Sequence, residues 1–439
     1  MARRKKKLPT EPVTATIESL SPEGRGVARI DGKTTFISGA LPGEEVRFIY
    51  ENIRSKFSEG HVHEVLKASD DRVEAKCLHA HICGGCSLQH MNADAQIKHK
   101  ESILLGHFKH LAKIQPDEVL KPLTGPLWGY RKKARLGVRY VRKKGRVLVG
   151  FREKGTSYLA ELEQCEVLHP SVGLQLMDLS RLIGDLNCYE SIAQIEVAVD
   201  DTHCALIFRN LIEVNEQDRN KLIEFAKQNN IELYLQPKGP NTVTLLYPDV
   251  ADLSYCIDDD LDIHFKPADF TQVNSEINIK MIERAIELLD LNKSDRILEL
   301  FCGLGNFTLP LARRVASVVA VEGDKSLIDR ANDNAEKNNI NNVTYHVANL
   351  MEDVTGLPWL KGDYNKILID PPRSGAIEVL PHIVKLGAKR LLYISCNPAT
   401  LARDTDYLVN EAGYQLVKAG VMDMFPHTAH VESIALFVK

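Results

Sequence analysis

Ile297-Leu298-Glu299-Leu300-Phe301-Cys302-Gly303-Leu304-Gly305-Asn306 is the stretch that decides the fold. An apolar run of strand character enters a tight glycine turn, and a helical pattern follows. Glycines at such a turn let the backbone pass close to a ligand where side chains would clash. The next apolar run, Val318 to Val321, ends at Glu322, nineteen residues after Gly303. An acid in that place can accept both hydroxyls of a ribose. From Val273 onward the rhythm continues as helix 275–290, strand 296–301, helix 306–315, strand 317–321, helix 325–339 and strand 343–347. Strand 366–369, helix 376–386, strand 390–395, helix 398–412 and two final strands complete it. This alternation predicts a doubly wound, Rossmann-like parallel sheet. Asn349 and Asp370 then fall at carboxyl ends of strands, the rim on which open α/β sheets bind ligands. A glycine-rich turn alone would serve NAD equally well. The three-glycine dinucleotide fingerprint and an arginine cluster for a pyrophosphate are both lacking, so the combined pattern points to S-adenosylmethionine.

Three segments downstream add chemistry: Asp370-Pro371-Pro372-Arg373, Ser395-Cys396-Asn397-Pro398 and His430-Val431-Glu432. Cys396 follows a strand, and Pro398 suits the first turn of a helix. Unpaired N–H groups at a helix start are expected to stabilise a nearby thiolate. A lone cysteine is ordinarily an inert core residue, but its place on the same rim as Asp370 argues for a nucleophile. Glu432, taken alone, reads as a solvated edge-strand residue. A methyl-donor site, a thiol and a late carboxylate together can methylate a carbon too poor in electrons to react directly, such as carbon 5 of uracil. The thiolate adds to carbon 6, carbon 5 attacks the methyl sulfonium, and a base removes the carbon 5 proton so that elimination frees the enzyme.

The rest of the chain reads as a multidomain α/β protein of 439 residues, with 44% hydrophobic and 26% charged residues. Residues 1–9 form a basic arm expected to be disordered. Residues 10–68 carry five short strand patterns separated by turns, which fits an OB-type β-barrel. Such a barrel either holds single-stranded nucleic acid or only packs on a neighbour, and the strand pattern leaves both open. Residues 69–265 form a central, mostly β segment that includes an amphipathic helix at 93–112, expected to pack on the catalytic domain. Residues 266–439 are the catalytic domain. Between Lys121 and Lys154 stand twelve Lys or Arg and one acid, Glu153, interleaved with Trp128, Tyr130, Tyr140 and Phe151. In a chain of net charge -4 this block suits a polyanion whose bases stack; the alternative is a solvated hairpin face. No apolar run reaches the roughly 18 residues of a membrane span, and no secretory signal follows the basic start, so a cytoplasmic location is expected.

The segments Phe270-Thr271-Gln272-Val273-Asn274, Glu299 to Asn306, Asp370 to Arg373, Ser395 to Pro398 and His430 to Glu432 resemble the RNA 5-methyluridine methyltransferase family (TrmA/RumA type). The likeness covers nearly the whole chain, and residues 10–67 resemble its TRAM domain, an RNA-binding barrel. The resemblance implies that Gln272, Phe301, Asn306, Glu322, Asn349 and Asp370 surround S-adenosylmethionine. It also implies that Cys396 is the nucleophile and that Glu432 takes the carbon 5 proton.

Nine cysteines in a reducing compartment argue against disulfides. Cys188, Cys204, Cys256 and Cys302 read as core residues. Cys77, Cys83 and Cys86, with Cys165 far downstream, offer four soft ligands whose spacing suits zinc or an iron–sulfur cluster. The Cys-x3-Cys-x2-Cys run of radical enzymes is absent. The resemblance extends to the ribosomal branch of the family, whose four-cysteine pattern holds a 4Fe-4S cluster. It implies methylation of a flipped uridine in a single-stranded or refolded loop of 23S ribosomal RNA, at position 1939 in conventional numbering, with no obligate protein partner evident. The alternatives are another rRNA or tRNA uridine, or an exocyclic amine held by Asp-Pro-Pro. The amine reading has no use for Cys396 or Glu432. A passive iron–sulfur or RNA-binding protein is the remaining rival.

Overall fold

The computed structural model describes residues 8–258 and 260–439, so most of the basic arm lies outside it. The chain divides into two compact units, one running to Ile103 and including Phe425–His430, the other holding Leu104–Met424 and Val431–Lys439. Among the described residues no helix is long and apolar enough to cross a membrane.

In the first unit, β1 (Val13–Thr16), β2 (Ser19–Leu20), β3 (Gly26–Ile30), β4 (Lys33–Ser38), β5 (Glu45–Ile53) and β6 (Phe57–Lys67) form one sheet in the order β1-β5-β6-β4-β3-β2. The five expected strand patterns are all strands. Alternation along them buries Ala15, Ile17, Ala28, Ile37, Val46 and Phe48 in a common core. Gly60 is required where β6 crosses β5, since a Cβ there would stand 2.4 Å from the Ile49 carbonyl. Buried Glu44 binds the turn before β5 to Arg72 and to the N–H groups of Leu41 and Ser69. Leu88, Met91 and Ala95 pack with Leu41, so residues 69–103, assigned above to the central segment, group with this sheet.

The second unit begins within helix α1 (Ala93–His107), which continues as a π-helical turn over Phe108–Ala112. A two-residue strand, β7 (Glu118–Val119), follows. The central sheet comprises β8 (Lys133–Val141), β9 (Arg146–Gly150), β10 (Ile192–Val199), β11 (Cys204–Asn210), β12 (Ile231–Leu235) and β13 (Thr244–Tyr247), in the order β13-β12-β11-β10-β8-β9. Its helices are α2 (Pro170–Gly173), α3 (Leu176–Gly184) and α4 (Glu216–Asn229). The mostly β reading of residues 69–265 did not include α3 and α4. Leu176, Leu179 and Ile183 put one apolar face of α3 into the core, and Asn215 caps α4 by accepting the Asp218 N–H at 2.8 Å. A hairpin of β14 (Leu253–Asp258) and β15 (Leu261–Phe265) leads to the catalytic domain.

That domain contains α5 (Ser275–Leu289), β16 (Arg296–Leu300), α6 (Thr308–Ala312), β17 (Ser317–Glu322), α7 (Lys325–Lys337), β18 (Val343–Val347) and β19 (Lys366–Ile369). It ends with α8 (Leu380–Ile383), β20 (Arg390–Ser395), α9 (Pro398–Asp406), β21 (Gln415–Met422) and β22 (Glu432–Val438). The eight-stranded order is β18-β17-β16-β19-β20-β22-β21-β7. Strands β16 to β20 are parallel, β22 runs against β20 and β21, and β7 adds to the β21 edge. Phe108–Ala112 lies against α9. Chain order reverses between β16 and β19, which makes their carboxyl ends the expected ligand crevice.

Candidate active site

At that crevice lies a cavity of about 380 Å³. Gln272, Phe301, Asn306, Glu322, Asn349 and Asp370 all line it. Phe301, Gly303 and Gly305 have φ values of 64°, 55° and 93°, so the turn after β16 winds through the left-handed region and leaves an open cradle. Glu322 is fixed by backbone donors: Oε2 accepts from Gly303 N at 3.2 Å, and Oε1 accepts from Gly323 N at 2.7 Å and Asp324 N at 3.1 Å. Asn349 Nδ2 donates to Glu352 at 2.7 Å. Beneath the turn, burial pushes the Glu299 carboxyl up to about 8, with Asp370 and Glu322 adding to the effect. A narrow, mostly apolar cavity with an acid at the second strand end suits an adenosine-bearing molecule of the size of S-adenosylmethionine.

Cys396, Glu432 and Asp370 meet on the same rim. Ser395 and Ser433 are paired across β20 and β22, so one step further the antiparallel register sets Cys396 against Glu432. Burial drives the thiol pKa up to about 11; Glu432 and Asp370 push the same way and Arg373 opposes them. The expectation of a helix-stabilised thiolate is therefore corrected. Cys396 precedes the cap residue Asn397, whose own side chain takes the Ala399 N–H at 3.1 Å, and burial first, then Glu432 and Asp370, hold the thiol above its ordinary range. Burial, with Glu432 beside it, likewise pushes Asp370 up to about 8. The Arg373–Gly375 turn is held to α9: Asn397 Nδ2 donates to the Arg373 carbonyl at 2.9 Å, and Asp404 accepts the Ala376 N–H at 2.7 Å. That clamp keeps the segment bearing Asp370 and the segment bearing Cys396 in one rigid corner.

The profile of the family described as tRNA (Uracil-5-)-methyltransferase matches residues 198–439, and that of the TRAM domain matches residues 6–63. The 23S rRNA (uracil(1939)-C(5))-methyltransferase RlmD of Francisella tularensis subsp. novicida is 51% identical over 97% of this chain and 96% of that protein. The protein of the same description from Hahella chejuensis is 51% identical over the full length of both. This chain belongs to the RNA uracil-5-methyltransferase family. A crystal structure of Pyrococcus abyssi tRNA (uracil-54, C5)-methyltransferase with S-adenosyl-L-homocysteine shares the fold, with a TM-score of 0.74 at 23% identity, over 97% of this chain and 100% of that one.

As a uracil-5-methyltransferase the chain holds further residues at the cavity to which the sequence reading gave no role. Phe270, 72% exposed, stands at the mouth. Tyr255 reaches the cavity from the β14–β15 hairpin, far from any motif. Cys77, Cys83 and Cys86 share a loop of turns in the first unit, where Cys83 Sγ accepts the Gly85 N–H at 3.4 Å; Cys165 belongs to the second unit. Among the described residues no group of three or more His, Cys, Asp or Glu side chains is gathered to hold a metal. The three loop thiols, with an N–H···S contact at Cys83, are soft donors of the kind that ligate iron–sulfur clusters. Of the basic block, Arg135 pairs with Glu196 and Arg142 with Glu190, while Lys144 and Arg146 share Glu161. Arg139 and Lys143 are exposed on the same hairpin.

Proposed function

We propose that this enzyme methylates carbon 5 of uridine 1939 in 23S ribosomal RNA, the site named for its 51%-identical relatives. The observation that carries the reading is the meeting of Cys396, Glu432 and Asp370 on the rim beside the cavity. Gln272, Phe301, Asn306, Glu322, Asn349 and Asp370 would hold S-adenosylmethionine in the cavity, where it would supply an electrophilic methyl group. The uridine leaves its stack to reach the rim. Cys396 gives up its proton to solvent, Arg373 favouring the thiolate so formed, and Sγ bonds to carbon 6 as the ring electron pair moves onto carbon 5, which takes the methyl group. Glu432, across the strand pair, takes the carbon 5 proton after methylation, and the C6–S bond breaks to restore the ring.

Residues 10–68 and the exposed cations of the β8–β9 hairpin are the surfaces that suit RNA phosphates. Cys77, Cys83, Cys86 and Cys165 would hold a 4Fe-4S cluster with a structural or RNA-positioning role, since methyl transfer needs no electron. The setting is the cytoplasm. Mass spectrometry of 23S rRNA from a strain lacking the gene tests the reading: 5-methyluridine at 1939 should vanish and return with the gene. An unchanged rRNA would overturn it.

A further inference from the structure

Asn306 is held by two residues from elements outside the glycine turn. Asn278 Nδ2 donates to Asn306 Oδ1 at 2.9 Å, and Asn306 Nδ2 donates back to Asn278 Oδ1 at 2.9 Å. The two amides thus close a ring of two hydrogen bonds. Tyr255 Oη donates to the same Asn306 oxygen at 2.9 Å. Burial pushes the Tyr255 hydroxyl above its ordinary pKa, so it remains a donor. The carbonyl of Asn306 is saturated, and one N–H of its amide is left over. Asn306 and Tyr255 both line the cavity, whereas Asn278 is 3% exposed on the apolar face of α5, among Ile277, Met281 and Ile282. An amide buried there without a partner would be destabilising, so its presence requires the pairing.

We infer that Asn278 and Tyr255 are positioning residues for the methyl-donor site: they lock the Asn306 amide so that it shows the cavity a hydrogen-bond donor and no acceptor. This rests on the reading of the cavity as the S-adenosylmethionine site. The ligand atom facing Asn306 is then an acceptor. Two distant elements, the β14–β15 hairpin and α5, would set the affinity of a site whose motif lies on neither.

Calorimetric binding of S-adenosylhomocysteine to full-length protein, without RNA, provides the test. In Asn278→Asp an ionised carboxylate sets an oxygen against Asn306 Oδ1, breaking one of the two ring bonds. A protonated carboxyl restores both, because its O–H replaces the lost amide donor. Because Glu299 and Asp370 titrate near pH 8 in the wild type too, affinity in this variant is read against wild type at the same pH, and should fall roughly tenfold or more at about pH 9 and recover towards wild type at about pH 6. Asn278→Leu should be weak at both values, and Tyr255→Phe should lose severalfold affinity at both. A residue that merely supports the fold would show no acid rescue of affinity. Wild-type affinity in Asn278→Asp at both pH values, or in the near-isosteric Tyr255→Phe, would overturn the inference. Failure of the wild-type protein itself to bind S-adenosylhomocysteine would instead overturn the cavity's assignment, and the inference with it.

Discussion

Ser433 Oγ donates a 3.2 Å hydrogen bond to the Ser395 carbonyl. The two serines form the last paired rung of β20 and β22, and the next rung would be Cys396 and Glu432. Sheet register, not sequence proximity, therefore brings the proposed nucleophile and the proposed base together. The same rung explains why Glu432 raises the Cys396 pKa.

Glu432→Gln should stall the reaction after methyl transfer. The amide keeps the shape but cannot accept the carbon 5 proton, so release of Cys396 becomes the blocked step. Methylated RNA still bonded to the enzyme should accumulate as a slow band on a denaturing gel. Near wild-type turnover in this variant would mean that Glu432 is not the base.

Glu299→Gln should flatten the loss of stability between about pH 4.5 and pH 8. Burial first, then Asp370 and Glu322, raise the folded-state pKa of Glu299 to about 8 from an ordinary 4.5. Folding therefore takes up a proton. The stabilisation is complete below the unfolded pKa and is lost as pH rises through about 8. Across that window the ligand-free wild type should lose about 1 kcal/mol per pH unit more than the variant, read from denaturant unfolding. Parallel curves for the two proteins would place the Glu299 charge elsewhere.

Anaerobically purified protein should be brown, with about four irons and four sulfides per chain. Cys83→Ala should abolish both, because it removes one of four ligands. One zinc without sulfide would replace the cluster assignment and leave the methyl transfer untouched.

Glu322, Asn349 and Asp370 were legible in the sequence because each follows an apolar strand, and Gly303 and Gly305 mark where the backbone must turn; Gln272 came only through the family resemblance. Cys396 stood out by the same logic. Its protonation state did not, since Glu432 and Asp370 approach it only through the sheet order. The Asn278 amide looks like a helix-interior polar residue, and Tyr255 like an ordinary strand aromatic; their meeting at Asn306 has no periodic trace. Helices α3 and α4 were missed because the strands around them dominated the pattern, although Asn215 was a readable cap. The split inside α1 arises from tertiary packing of Leu88, Met91 and Ala95 on Leu41.

The most direct measurement is mass spectrometry of the enzyme after incubation with S-adenosylmethionine and a 23S fragment carrying 5-fluorouridine at the target position. Fluorine at carbon 5 cannot be removed by a base, so the adduct should persist. The predicted result is a peptide containing Cys396 bonded to a methylated fluorouridine, absent in Cys396→Ala, which should also lose all turnover while still binding cofactor and RNA. A bond at another residue, or full methylation of unmodified RNA by the alanine variant, would contradict the thiol mechanism.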